Sequence, residues 1–113
     1  MDERLRPVER IRRKKDFIEL YRKGRRLRGR YFHLVFRPNG LEYSRMAVVV
    51  SRKIGKANVR NRLKRRFREL FRKNKNLLPG PLDLIFIAQK DAGDRSREEV
   101  SADFMAVLQK LAF

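Results

Sequence analysis

The chain has 113 residues, 31 Lys or Arg against 13 Asp or Glu, a formal net charge of +18 and a pI near 11.4. That length fits one domain with a modest core, and 42% apolar residues with 10% aromatics exclude a wholly disordered basic tail. With no cysteine, disulfides and thiolate metal sites are excluded; no apolar run reaches membrane-spanning length.

The first residues, MDERLRPVERIRRKKDF, hold no apolar signal core, so a cytoplasmic protein is expected. So large an excess of positive charge repels itself and is relieved by a polyanion, nucleic acid before an anionic membrane surface.

In chain order, residues 1–13 read as an extended charged segment, pinned to the domain by Leu5 and Ile11. A helix is expected over Lys14 to Lys23, with Phe17, Leu20 and Tyr21 at i, i+3 and i+4, and Gly24 at its left-handed end. Phe17 and Tyr21 are either core aromatics or, on so basic a chain, groove residues that stack on unpaired bases. Arg25 to Arg30 reads as a basic connector. Tyr31 to Arg37 alternates as a strand, with Phe32, Leu34 and Phe36 on one face. Pro38-Asn39-Gly40 then reads as a hairpin-like reversal into a partner strand, Arg45 to Val50, buried on both faces.

Ser51 to Lys75 dominates the chain, with twelve Lys or Arg against one acid, Glu69. Val59, Leu63, Phe67, Leu70 and Phe71 recur at helical spacing, so one face is buried. Asn61, Arg62, Arg65, Arg68 and Arg72 fall opposite, and solvated faces ordinarily mix both signs more evenly. An amphipathic helix capped by Asn58 and carrying a polyanion-binding rod is expected. Leu77 to Pro81 ends it. Leu82 to Gln89 is a further strand, and Ser96-Arg97-Glu98-Glu99 is a capping box opening a last helix to about Leu111. The order α-β-β-α-β-α, with three strands read, predicts an α+β sandwich and one RNA-binding domain over 1–113, the mixed sheet being expected to reach about four strands.

Chemistry-bearing clusters are missing from this pattern. His33 is the sole histidine and sits on a strand, where packing is the ordinary role. The acids form no paired-carboxylate motif, and Asp91 and Asp94 fall in a turn. Gly55-Lys56 lacks the rest of a phosphate loop. No catalytic residue, no protein-held metal and no small-molecule substrate is expected.

The run SRKIGKANVRNRLKRRFRE resembles the signature of the bacterial ribonuclease P protein subunit. That signature is Lys-x-Gly-x-Ala followed by Arg-Asn-Arg-x-Lys-Arg, here Lys53, Gly55, Ala57, Arg60, Asn61, Arg62, Lys64 and Arg65. Asp16-Phe17, Gly24, the basic connector, Val48, Ser51 and the strand at Asp83 extend the resemblance over nearly the whole chain. It implies a left-handed β-α-β crossover, against the usual hand. It further implies the accessory subunit of an endoribonuclease, a hydrolase whose catalytic RNA removes the 5′ leader of precursor tRNA with Mg2+ held mainly by the RNA.

On this resemblance Arg52, Lys53, Lys56, Arg60, Asn61, Arg62, Lys64, Arg65 and Arg68 bind RNA. Phe17, Tyr21, Lys53 and Arg60 line a cleft for the single-stranded leader. Two positions depart from the pattern. Asn58 stands where valine is common, read as a cap exchanged for a buried methyl. Val35 and Val49 replace the polar or aromatic cleft residues of some relatives. The alternatives are a general RNA-binding module such as a ribosomal protein, and a membrane-active cationic protein. Against the latter, the helix's apolar face is needed for the core.

Overall fold

The computed structural model describes residues 5–111. Its elements are α1 (Lys14–Lys23), β1 (Arg25–Arg28), β2 (Phe32–Pro38), β3 (Arg45–Val49), α2 (Ala57–Asn74), β4 (Leu82–Ala88) and α3 (Arg97–Leu108). The strands form one mixed sheet in the order β1-β2-β4-β3. β2 runs antiparallel to both β1 and β4, and β3 runs parallel to β4, reached through α2. This is the α+β class expected.

Period-two alternation divides the sheet into two faces. Phe32, Leu34 and Phe36 of β2 point with Leu84 and Phe86 of β4 into the main core, where Leu63, Phe67 and Phe71 of α2 and Phe104 of α3 meet them. Phe86 lies at the centre of an aromatic cluster, its ring 5.7 Å from Phe67 and 5.4 Å from Phe104. Val35 and Ile85 point the other way and are covered by Leu20 of α1.

The expected hairpin between β2 and β3 is not formed. Gly40 does turn with φ 69°, and Asn39 Oδ1 accepts a 2.8 Å hydrogen bond from Leu41 N. The chain then passes over β4, which lies between the two strands. Burial explains the order. LDLIFIA is apolar on both faces and takes an inner place, whereas Ala47, Val48 and Val49 of β3 are only half-buried at the edge. That edge is partly covered: Ile11 N donates to Met46 O at 2.9 Å. Ile11 and Leu5 pack on the two cores, as expected, and Pro7–Glu9 forms a 3-10 turn within the segment read as extended.

Other expectations are corrected locally. The connector contains β1, whose sequence RRLR offers only Leu27 to the core. Gly24 is extended (φ −71°, ψ 159°), not left-handed. Its lack of a side chain is needed because a Cβ there would lie 2.7 Å from Leu20 O and from Val35 Cγ1. Asn58 is exposed and sits inside α2, whose N-cap is Lys56, so it caps nothing. The methyl-bearing Val59 does the packing, against Gly55 and Gly93. The α3 capping box is present, with Ser96 Oγ accepting from Glu99 N and Glu99 Oε1 accepting from Ser96 N, both at 3.1 Å. α3 ends at Leu108, although Leu111 is still buried.

The buried acids hold elements together. Asp83 accepts from Arg45 Nε and Nη2 at 2.9 and 2.6 Å and from Asn39 Nδ2 at 2.9 Å. Asp103 of α3 accepts from the Arg30 and Tyr31 amides at 2.9 and 2.8 Å, fixing the β1–β2 turn. Glu9 pairs with Lys75 at 2.9 Å and ties the N-terminal segment to the end of α2.

Candidate nucleic-acid interface

α2 is amphipathic because its apolar residues repeat at helical spacing and seat in the Phe86 cluster. That seating turns Asn61, Arg62 and Arg65 outward, where they are exposed. The start of α2 has neither a side-chain cap nor an acid in its first turn, so its amide dipoles add to the charge of Arg52, Lys53 and Lys56. The motif's spacing acquires a local reason here. A Cβ at Gly55 would lie 3.3 Å from the Val59 side chain, and the Gly55 carbonyl accepts from Arg60 Nε at 3.2 Å. Arg60 is therefore half-buried and held, not freely swinging. Gly93, at the carboxyl end of β4, approaches Ile54 O, and its own carbonyl accepts from Arg62 at 3.3 Å. The two connections leaving the parallel strands thus lock together under the start of α2.

The basic residues of α2 lie on three lines along its exposed circumference. Arg60, Lys64 and Arg68 form one shoulder, and burial followed by the nearby Arg10 lowers Arg68 from the usual guanidinium value. Asn61, Arg65 and Arg72 form the crest. Arg62, Arg66 and Lys73 form the other shoulder, beside α3. Arginine remains charged despite such shifts, so the repulsion persists until an anion arrives.

The cleft residues divide between two places. On α1, Phe17 is half-buried and Tyr21 is 45% exposed, with rings 6.3 Å apart and nearly parallel at 15°. Phe17 contacts the smaller core, so the core and groove readings each hold for part of its ring. Lys53 lies on the connection beyond β3 and Arg60 in the first turn of α2, and no hydrogen bond, ion pair or ring contact joins them to the aromatics.

Between these places runs a cross-strand row, Arg28, His33, Ile87 and Val49, on the α1 face of the sheet. Val49 is half-buried on this floor, whereas Val35 is fully buried beneath α1 and presents nothing to a ligand. Sequence reasoning missed Arg26 and Arg28, because β1 was read as a connector. Its period-two alternation with Leu27 was the available signal. The Arg26 guanidinium lies 4.6 Å from the Tyr21 ring centre, and its Nη2 donates to Tyr21 O at 2.7 Å. Desolvation, then Arg28 and Arg26, lower the pKa of His33 below the usual imidazole value.

At the opposite end of the sheet a hollow of about 440 Å³ lies among Val8, Glu9, Glu42, Tyr43 and Leu78. Arg6 and Lys75 also line it, so its two carboxylates are balanced by two cations and it lacks the excess of positive charge found along α2. No three Asp, Glu or His side chains converge among the described residues.

The ribonuclease P family model matches residues 5–112. The chain belongs to the ribonuclease P protein family. It is similar to the ribonuclease P protein component of Thermotoga maritima, 45% identical over 103 residues that span 91% of this chain and 86% of that one. Among solved structures, the ribonuclease P protein of T. maritima superposes with a TM-score of 0.83 at 37% identity, over 93% of this chain and 99% of the other. That of Staphylococcus aureus gives 0.84 at 31% identity, over 91% and 96%. For this ribonuclease P protein the match covers the sheet, all three helices and the motif together, so the family likeness does not rest on charge alone.

Proposed function

We propose that the chain is the protein subunit of bacterial ribonuclease P, binding the catalytic RNA through α2 and the 5′ leader of precursor tRNA on the α1 face. The observation that carries this is the position of the motif. The residues from Lys53 to Arg65 start where β3 ends, so one continuous segment borders both the half-open sheet face and the basic crest of α2. A leader without fixed sequence is held by phosphate charge and base stacking, which Arg28, Lys53 and Tyr21 supply. Arg52, Lys56, Asn61, Arg62, Lys64, Arg65 and Arg68 meet the catalytic RNA.

The polypeptide positions both RNAs and neutralises phosphate. Its buried acids are engaged in holding the fold, and Mg2+ for leader hydrolysis belongs to the RNA in this reading. No helix of the described residues is long and apolar enough to cross a membrane. The test is cleavage of precursor tRNA by a bacterial ribonuclease P RNA at low magnesium, with and without the protein. Stimulation is expected, and its absence would reject the proposal.

A further inference from the structure

The α2–α3 side of the molecule carries charge that the motif does not account for. Arg62, Arg65, Arg66 and Lys73 of α2 and Arg97 and Ser101 of α3 line a groove of about 360 Å³. One acid, Glu69, shares it, and that carboxylate is already engaged by Arg72 at 3.3 Å and Lys73 at 3.2 Å. The Arg66 and Arg97 guanidiniums make no hydrogen bond or ion pair with any described residue. The guanidiniums nevertheless crowd one another. Burial, then the charges of Arg62 and Arg97, lower Arg66 from the usual guanidinium value, and Glu98 offsets this only in part. Two helices have therefore been packed with like charges facing and too little carboxylate between them.

We infer that this groove seats a backbone phosphate of RNA between Arg66 and Arg97, with the Ser101 hydroxyl as a further donor. The inference rests on the reading of the chain as an RNA-binding subunit and carries its surface onto a third helix. Guanidinium forks match the paired oxygens of a phosphate, and an O–H donor between them completes a three-sided cradle. The groove is partly open to solvent, so a phosphate carried on a polymer backbone can enter it. It also adjoins the α2 crest through Arg65, so one RNA lying over the crest reaches it without a break. Arg66 and Arg97 thus act as binding residues outside the Arg60-Asn61-Arg62 motif.

Affinity for a bacterial ribonuclease P RNA, measured against salt concentration, tests this. Arg97 is exposed, so Arg97→Ala keeps the fold; a melting curve verifies it. It is expected to bind about three- to tenfold more weakly, with a salt slope shallower by about one. Lys110→Ala removes the same charge beyond the end of α3 and is expected to leave the slope unchanged. Arg66→Ala combined with Arg97→Ala should lose less than the sum of the two, because they share one phosphate. An unchanged Arg97→Ala, an equal loss in Lys110→Ala, or strictly additive losses would overturn the inference while leaving the subunit reading intact. Absence of salt-dependent binding by the unmodified protein would overturn both.

Discussion

The two faces of the sheet are built on different physics. The face under α2 and α3 is sealed by interlocking rings, with Phe32, Phe67, Phe86 and Phe104 all at most 1% exposed. The face under α1 is covered by one ten-residue helix and buries only Leu20, Val35 and Ile85 fully. Charge secures what apolar area does not. Arg45 of β3 bridges Asp83 of β4 at 2.6 Å and Asp16 of α1 at 3.6 Å. Beyond that bridge the same face lies half open along Arg28, His33, Ile87 and Val49. A sealed face supplies stability, and an unsealed one supplies a floor on which another molecule can lie.

Substitutions on each side sharpen this contrast. Phe86→Ala on the sealed face should cost about 4 kcal/mol in chemical denaturation, since it leaves a cavity among four rings. A loss under 1 kcal/mol would show that the cluster is loosely packed. On the other face, Asp83→Ala removes the carboxylate shared by the half-buried Arg45 and Asn39 and should cost about 3 kcal/mol. A double-mutant cycle with Arg45 should return most of that loss as coupling, and additive losses would mean that this pair does not tie β3 to β4.

Tyr21→Ala should scarcely move stability, because the side chain is largely exposed, but should weaken binding of a single-stranded leader by about 1–2 kcal/mol. Unchanged leader affinity, with a lowered melting temperature, would make Tyr21 a packing residue.

The smallest effect is expected at His33. Because desolvation, then Arg28 and Arg26, disfavour its charged form in the fold, the unfolded chain takes up the proton first as pH falls below 6.5. The imidazole therefore costs nothing above that pH and destabilises the fold progressively below it. His33→Gln should flatten this part of the stability profile. Single-stranded RNA on the open face should raise the His33 pKa in an NMR titration, since phosphate offsets the arginines. An unmoved resonance would place the RNA elsewhere.

Much of the candidate site's geometry was legible in the sequence because its cause is local. Helical spacing from Val59 to Phe71 decided which side of α2 would be buried, and the basic residues between them then had to face outward. The Ser96 to Glu99 capping box is likewise a four-residue interaction and appears as read. The failures concern contacts across the sheet. Asn39-Gly40 forms its turn as expected, yet the strand after it pairs with β4, which follows 18 residues of helix. Gly24 was given a left-handed role, but its function is to let α1 approach Val35 across the fold.

What the amino-acid order determined by itself is the charge, the helix faces and the motif, because each depends on residues within a turn or two of one another. What only the tertiary structure decided is the strand order, the placing of the β1 arginines beside Tyr21 and His33 and the approach of Arg97 to Arg66. Those depend on which apolar face wins the inner place in the sheet. LDLIFIA, buried on both sides, takes it from MAVVV, and the positions of the α2 crest and of the half-open α1 face follow from that competition.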